Sequence, residues 1–140
     1  MEARILALDV GSRTLGLAVS DPLGITAQGL PTIRRKNRRA DFAQLDAVVK
    51  KYDVQEFVVG YPLRLSGATG TQSEKMAAFA EQLRERYERP VHLWDERLTT
   101  AEAQRVLRES EMSVKRRSEV VDQLAAVLIL QSFLQSRQSK

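Results

Sequence analysis

The stretch that decides the fold is ILALDVGSRTLGLAVSD, residues 5–21. Before Asp9 the apolar residues fall on both parities, with Ile5 and Ala7 on one and Leu6, Leu8 and Val10 on the other. That is the pattern of a strand covered on both faces. Gly11 and Ser12 form a turn, and LGLAVS (15–20) returns as a second strand. A carboxylate, Asp9, thus stands at the tip of a buried strand. A second acid, Asp21, ends the return.

Outward from this hairpin, GITAQGLPTI (24–33) reads as a third, weaker strand, in which Pro31 marks an edge or an end. From Arg38 the period changes: Phe42, Leu45, Val49 and Tyr52 recur at helical spacing. EFVVGYP (56–62) is a strand, and LRLSGATG (63–70) a loop. Thr71 and Glu74 form a capping box opening a helix that buries Met76, Phe79, Ala80, Leu83 and Tyr87 and ends at Pro90. VHLW (91–94) is the last strand. Thr99 with Glu102 opens a helix to about Glu109, SEMSVKRR (110–117) reads as a linker, and Ser118 to about Gln135 is a helix apolar nearly all round. The order β-β-β-α-β-α-β-α-α predicts an α/β domain with a mixed five-stranded sheet and helices on both faces. Ligands are expected at the carboxyl ends of its strands.

At 140 residues the chain fits one domain, 1–140, with a real core. With no cysteine and one histidine, disulfides, zinc ribbons and cysteine nucleophiles are excluded and a zinc site is disfavoured. No apolar run approaches the roughly 20 residues of a membrane helix. MEARILALDV has no basic segment leading into a signal-type apolar stretch. The expectation is a cytoplasmic protein with no membrane partner.

Three places put acids where the sheet argument wants a ligand. Asp9 ends the first strand, Asp95 and Glu96 end the last, and Asp122 heads the stripe Ala126, Ile129, Phe133 of the final helix. An unpaired buried carboxylate costs several kcal/mol, so Asp122 calls for a cation. Clustered carboxylates stay ionised only around cations, and oxygen ligands suit Mg²⁺ or Mn²⁺. Two such ions about 3.5–4 Å apart can activate water and stabilise a leaving oxygen in phosphodiester cleavage. Each acid also has a structural alternative: Asp9 as a turn former or D-x-G phosphate-loop acid, Asp95 as the ion-pair partner of Arg97, Asp122 as a favourable charge near a helix N-terminus.

The net charge of +4 is concentrated in RRKNRR (34–39) and KRR (115–117). Arg34, Arg35, Lys36, Arg38, Arg39, Lys115, Arg116 and Arg117 are candidate phosphate contacts, with Tyr61, Arg64 and Arg97 beside them. His92 and Trp94 share a strand parity and read as structural.

The stretches LALDVGSRTLGLAVSD, VVGYPLRLSGATGTQSE, LWDERLTTAEA and KRRSEVVDQLAAVLILQSFL span nearly the whole chain, and together they resemble the YqgF family of pre-16S ribosomal RNA nucleases and Holliday-junction-resolvase-like proteins. The resemblance implies a ribonuclease H-like fold and a metal-dependent nuclease acting at the 5′ end of ribosomal RNA precursors. RNA is the preferred partner, with branched DNA and ribosomal precursor particles as alternatives, and the chain a monomer or homodimer. Mapped by motif, Asp9, Glu96 and Asp122 are the implied metal-binding carboxylates, with Asp95 a fourth candidate. The chain departs from the family at Tyr61 and Arg64, and Ala125 stands three residues after Asp122 where related resolvases carry a second acid. Two other classes compete. An ATPase or sugar-kinase relative would use the same D-x-G loop but needs a second lobe; a binding module would keep the fold without the chemistry.

Overall fold

The computed structural model describes residues 4–11, 13–61, 70–95 and 114–138. The two-faced run becomes β1 (Arg4–Val10), followed by β2 (Thr14–Ser20), β3 (Ala27–Arg34), α1 (Arg38–Tyr52), β4 (Val54–Tyr61), α2 (Gly70–Tyr87), β5 (Val91–Asp95) and α3 (Val114–Gln138). The strands form one sheet in the order β3-β2-β1-β4-β5. β1 is antiparallel to β2, and β2 to β3, while β1–β4 and β4–β5 are parallel. This is the mixed five-stranded sheet expected, with β1 central.

Alternation along the strands sorts the core into two layers. Leu6, Leu8, Val10, Leu17, Phe57 and Val59 face α1 and α2, meeting Phe42, Leu45, Phe79 and Leu83. Ile5, Ala7, Ala18 and Val58 face α3, meeting Ala126, Ile129, Leu130 and Phe133. Each fully buried Leu, Ile or Phe contributes about 1.5–3 kcal/mol. The α3 side of the sheet is paved with small residues: Ala7 pairs with Ala18, which pairs with Gly29, and Asp9 pairs with Gly16. A Cβ at Gly29 would stand 2.8 Å from Gln123 Cγ, so helix and sheet are in close contact there.

Three element boundaries differ from the sequence reading. β3 begins at Ala27 because Asp21 organises a turn: its Oδ1 accepts from the backbone N–H of Ile25 (2.7 Å) and of Thr26 (3.0 Å). Gly24 supplies the positive φ, +70°, that this turn needs. β4 starts at Val54 after α1 closes on Asp53 in the left-handed conformation. α3 starts at Val114, so Val114–Arg117 of the expected linker are helical. Lysine and arginine are good helix formers, and no Gly or Pro interrupts them. The helix expected over 99–109 and most of the 63–70 loop lie outside the described residues; Gly70 opens α2.

The Asp21 turn makes stability pH-dependent. Hydrogen bonds from Thr26 and then Ile25 hold its carboxylate below the usual range. A depressed carboxylate contributes stability above its unfolded pKa, lost as pH falls through the folded value. Asp21→Ala is therefore expected to lower Tm at pH 7. Melts at decreasing pH should show the gap to wild type closing below about pH 3.8, the ordinary carboxylate value. A gap that persists unchanged in acid would show that the carboxylate charge is irrelevant to the turn.

Candidate active site

Asp9 is half-buried, one residue from the carboxyl end of β1. Its parity is that of Ile5 and Ala7, the series facing α3. Its cross-strand partner on β2 is Gly16. On the other side the register runs Leu8 to Val59, so Gly60 is the next neighbour on β4, itself paired with Trp94. Both glycines are buried. Paired residues in a sheet share a face, so the positions flanking Asp9 on the α3 side carry no side chain. A carboxylate at such a strand end is the donor type that a hard metal ion takes.

α3 runs opposite to β1. Near its end, Leu134 and Arg137 share a small cavity with Ile5 at the start of β1, whereas earlier Gln123 donates to the Leu30 carbonyl on β3 at 2.8 Å. Asp122 lies about 18 Å along the helix from Leu134 at ~1.5 Å per residue. Asp9 lies about 13 Å along β1 from Ile5 at ~3.3 Å per residue. Both displacements lead to the same end of the sheet. The structure thus brings the Asp122 segment of α3 and Asp9 to one edge.

The other end of α3 is tied to β4 and β5. Phe133 packs edge-on against Trp94 (centroids 5.3 Å) and at a tilt against His92 (5.2 Å). Trp94 Nε1 donates to Ser132 Oγ at 3.0 Å. Glu56 accepts both guanidinium nitrogens of Arg137, and its Oε2 lies 2.5 Å from His92 Nε2. Burial opposes ionisation of Glu56, but Arg137 and then His92 outweigh it, and the carboxyl stays below its ordinary value. His92 and Trp94 are structural, as their shared parity suggests.

Asp95 closes β5, Tyr61 closes β4, and Lys115, Arg116, Arg117 and Asp122 lie in the opening turns of α3. Glu96, Arg64 and Arg97 lie outside the described residues. Among the described residues no group of three His, Asp or Glu side chains forms a metal centre.

On the opposite face of the same sheet edge a cleft of about 570 Å³ opens beside Val10 and Gly11. Gly11 turns tightly, donating to Thr14 O at 2.9 Å, and a Cβ there would meet that oxygen at 3.2 Å. Of the run 34–39, Arg35, Lys36 and Arg38 line the cleft, whereas Arg34 and Arg39 are exposed outside it. α2 adds Lys75, which the sequence reading missed because it is an isolated lysine on an amphipathic helix. Its only local signal is spacing: it precedes buried Phe79 by one turn.

The mixed sheet with this strand order, flanked by helices on both faces, is a ribonuclease H-like fold. It is shared with the structure of Thermus thermophilus RuvC in complex with a Holliday junction (TM-score 0.59, 15% identity, covering 97% of this chain and 96% of that one). Fowlpox virus resolvase bound to junction DNA is similar to the same degree (TM-score 0.59, 11% identity, 96% and 98%). The family described as RuvX, Holliday junction resolvase, matches residues 3–136, and the chain belongs to it. A Koribacter versatilis protein named "Putative pre-16S rRNA nuclease" is 60% identical over 137 residues, 98% of this chain and 90% of its own length. A Moorella thermoacetica protein of the same name is 53% identical over 131 residues, 94% of each.

Proposed function

We propose that this protein is a metal-dependent nuclease that hydrolyses phosphodiester bonds, acting on the 5′ end of pre-16S ribosomal RNA in the cytoplasm, on free precursor or on ribosomal precursor particles. The observation that carries the chemistry is Asp9 at the carboxyl edge of the central strand, flanked by two glycines and facing the helix that bears Asp122. The RNA substrate rests on the names of near-full-length relatives at 60% and 53% identity.

Asp9, Glu96 and Asp122 would hold the ions. For the middle ligand, Glu96 is preferred to Asp95. The resemblance maps the motif acid of DERLTT to Glu96, and on β5 it is His92 and Trp94 that pack against α3. When bound, one or two Mg²⁺ or Mn²⁺ ions supply an activated water and stabilise the charge that develops on the leaving oxygen. The protein's own part is positional. β1 is laddered on both sides, which fixes the Asp9 backbone; the small-residue row keeps α3 close; and the basic segments offset the charge of the substrate backbone.

A second reading, resolution of branched DNA, is favoured by the family description and by the junction-bound neighbours in the fold. The decisive experiment offers the protein a pre-16S 5′ end, single-stranded RNA and a four-way DNA junction, with Mg²⁺, with Mn²⁺ and with chelator. Metal-dependent cleavage of the precursor RNA is expected. Asp122→Asn is expected to abolish that cleavage while largely preserving binding. Cleavage that survives chelation or Asp122→Asn would overturn the assignment; preference for the junction would select the second reading.

A further inference from the structure

The basic cleft beside Gly11 is not part of the acid site, although it shares its strand end. Asp9 faces α3, and Val10, the next residue, faces α1 and α2. Consecutive Cα atoms are about 3.8 Å apart, so the two sites meet back to back across one turn of chain.

The cleft is organised before any ligand arrives. Arg35 Nη1 donates to Gly11 O at 2.6 Å, its Nε lies 3.6 Å from Asp41 Oδ2, and its guanidinium sits 5.9 Å over the Phe79 ring. Asp41 is buried, and its other oxygen accepts from Lys36 N at 2.9 Å. Among the described residues, the one carboxylate in the cleft wall is therefore committed to holding the wall together. Lys36, Arg38 and Lys75 are exposed, and no carboxylate among the described residues pairs with them. The N-terminus of α1, capped by Asn37, adds positive potential to the same opening. Among the described residues the cleft presents no free aromatic face: Phe42 and Phe79 are stacked on each other and buried. A ligand here is read by its negative charge, not by stacking of a base.

We propose that this cleft seats backbone phosphates of a single nucleic-acid strand that continues past the scissile phosphate and over the β1–β2 turn. The proposal rests on the nuclease reading for the identity of the polyanion. It adds a second, sequence-independent grip that rewards substrates with a single-stranded extension.

The test is equilibrium binding of a labelled single-stranded RNA, long and short, to the full chain at several salt concentrations in chelator, so that cleavage cannot interfere. Each ionic phosphate contact contributes about 0.7 to the slope of log affinity against log salt for single strands. Replacing Lys36, Arg38 and Lys75 together by Ala is expected to lower the slope for the long RNA by about 2. The charge-conserving variant Arg38→Lys should retain the wild-type slope, since phosphate is bound here as a point charge. Wild type should favour the long RNA over the short one, and inorganic phosphate at equal charge concentration should not displace it. An unchanged slope in the triple variant, or displacement by inorganic phosphate, would overturn the proposal. Failure of the nuclease reading looks different: RNA binds with the full slope, the triple variant loses it, and no cleavage follows on adding metal.

Discussion

Asp9→Asn is expected to reduce cleavage by about a thousandfold, because a metal contributes several kcal/mol of transition-state stabilisation and each 1.36 kcal/mol is a factor of ten. The substitution keeps the shape of the side chain and removes its charge. The amide is nearly the size of the carboxylate it replaces, and its cross-strand neighbour is Gly16. The sign of the stability change separates a ligand from a scaffold residue. Carboxylates gathered for a cation repel one another without it. In chelator the variant should therefore melt at or above the wild-type temperature. Adding Mn²⁺ should raise the Tm of wild type by mass action and leave the variant nearly unmoved. Undiminished cleavage in the variant, with the Tm response to Mn²⁺ intact, would remove Asp9 from the mechanism.

Phe133→Ala is expected to cost about 3–5 kcal/mol, the usual range for emptying a buried aromatic position. Phe133 is 5% exposed and joins α3 to His92 and Trp94 on β5. Arg137, stacked 4.6 Å over the same ring, would lose its support along with its orientation toward Glu56. Urea unfolding should show a lower midpoint at an unchanged slope. A loss below about 1 kcal/mol would mean that α3 is held by its other contacts alone. Under the proposed mechanism the loss would extend to cleavage, since the helix that Phe133 anchors is the one that carries Asp122.

Much of this architecture could be read directly from residue order. Ile5 to Val10 and Phe42, Leu45 and Val49 are strongly periodic, and burial on one face or two is a property of the pattern itself. The sheet edge that holds Asp9 followed from the same pattern. The turn at Asp21 did not, because its meaning lies in which N–H groups fold back onto the carboxylate, and several turns could do that. The start of α3 is not legible in the sequence because Lys115, Arg116 and Arg117 look like a solvated linker. Consecutive lysines and arginines are compatible with helix, so composition alone misleads there. Strand parity by itself leaves Asp95 and Glu96 as alternatives, because the sequence does not say which face of β5 meets α3; Trp94 against Phe133 and Ser132 identifies that face only as far as Trp94. Lys75 joins the basic cleft only once α2 packs beside Gly11.

The pavement of Ala7, Ala18 and Gly29 beneath α3 has a consequence for how this sequence can drift over generations. On the opposite layer Leu6, Leu8 and Phe57 meet other large side chains, and bulk lost by one can be recovered by a neighbour. Along the Ala7–Ala18–Gly29 row there is little left to trim, and a side chain added at Gly29 would press on Gln123 of the helix. The two sides of one sheet are thus under different rules. One tolerates exchange among partners; the other works as a fixed shim, setting the height at which the helix rides and so the reach of whatever that helix carries.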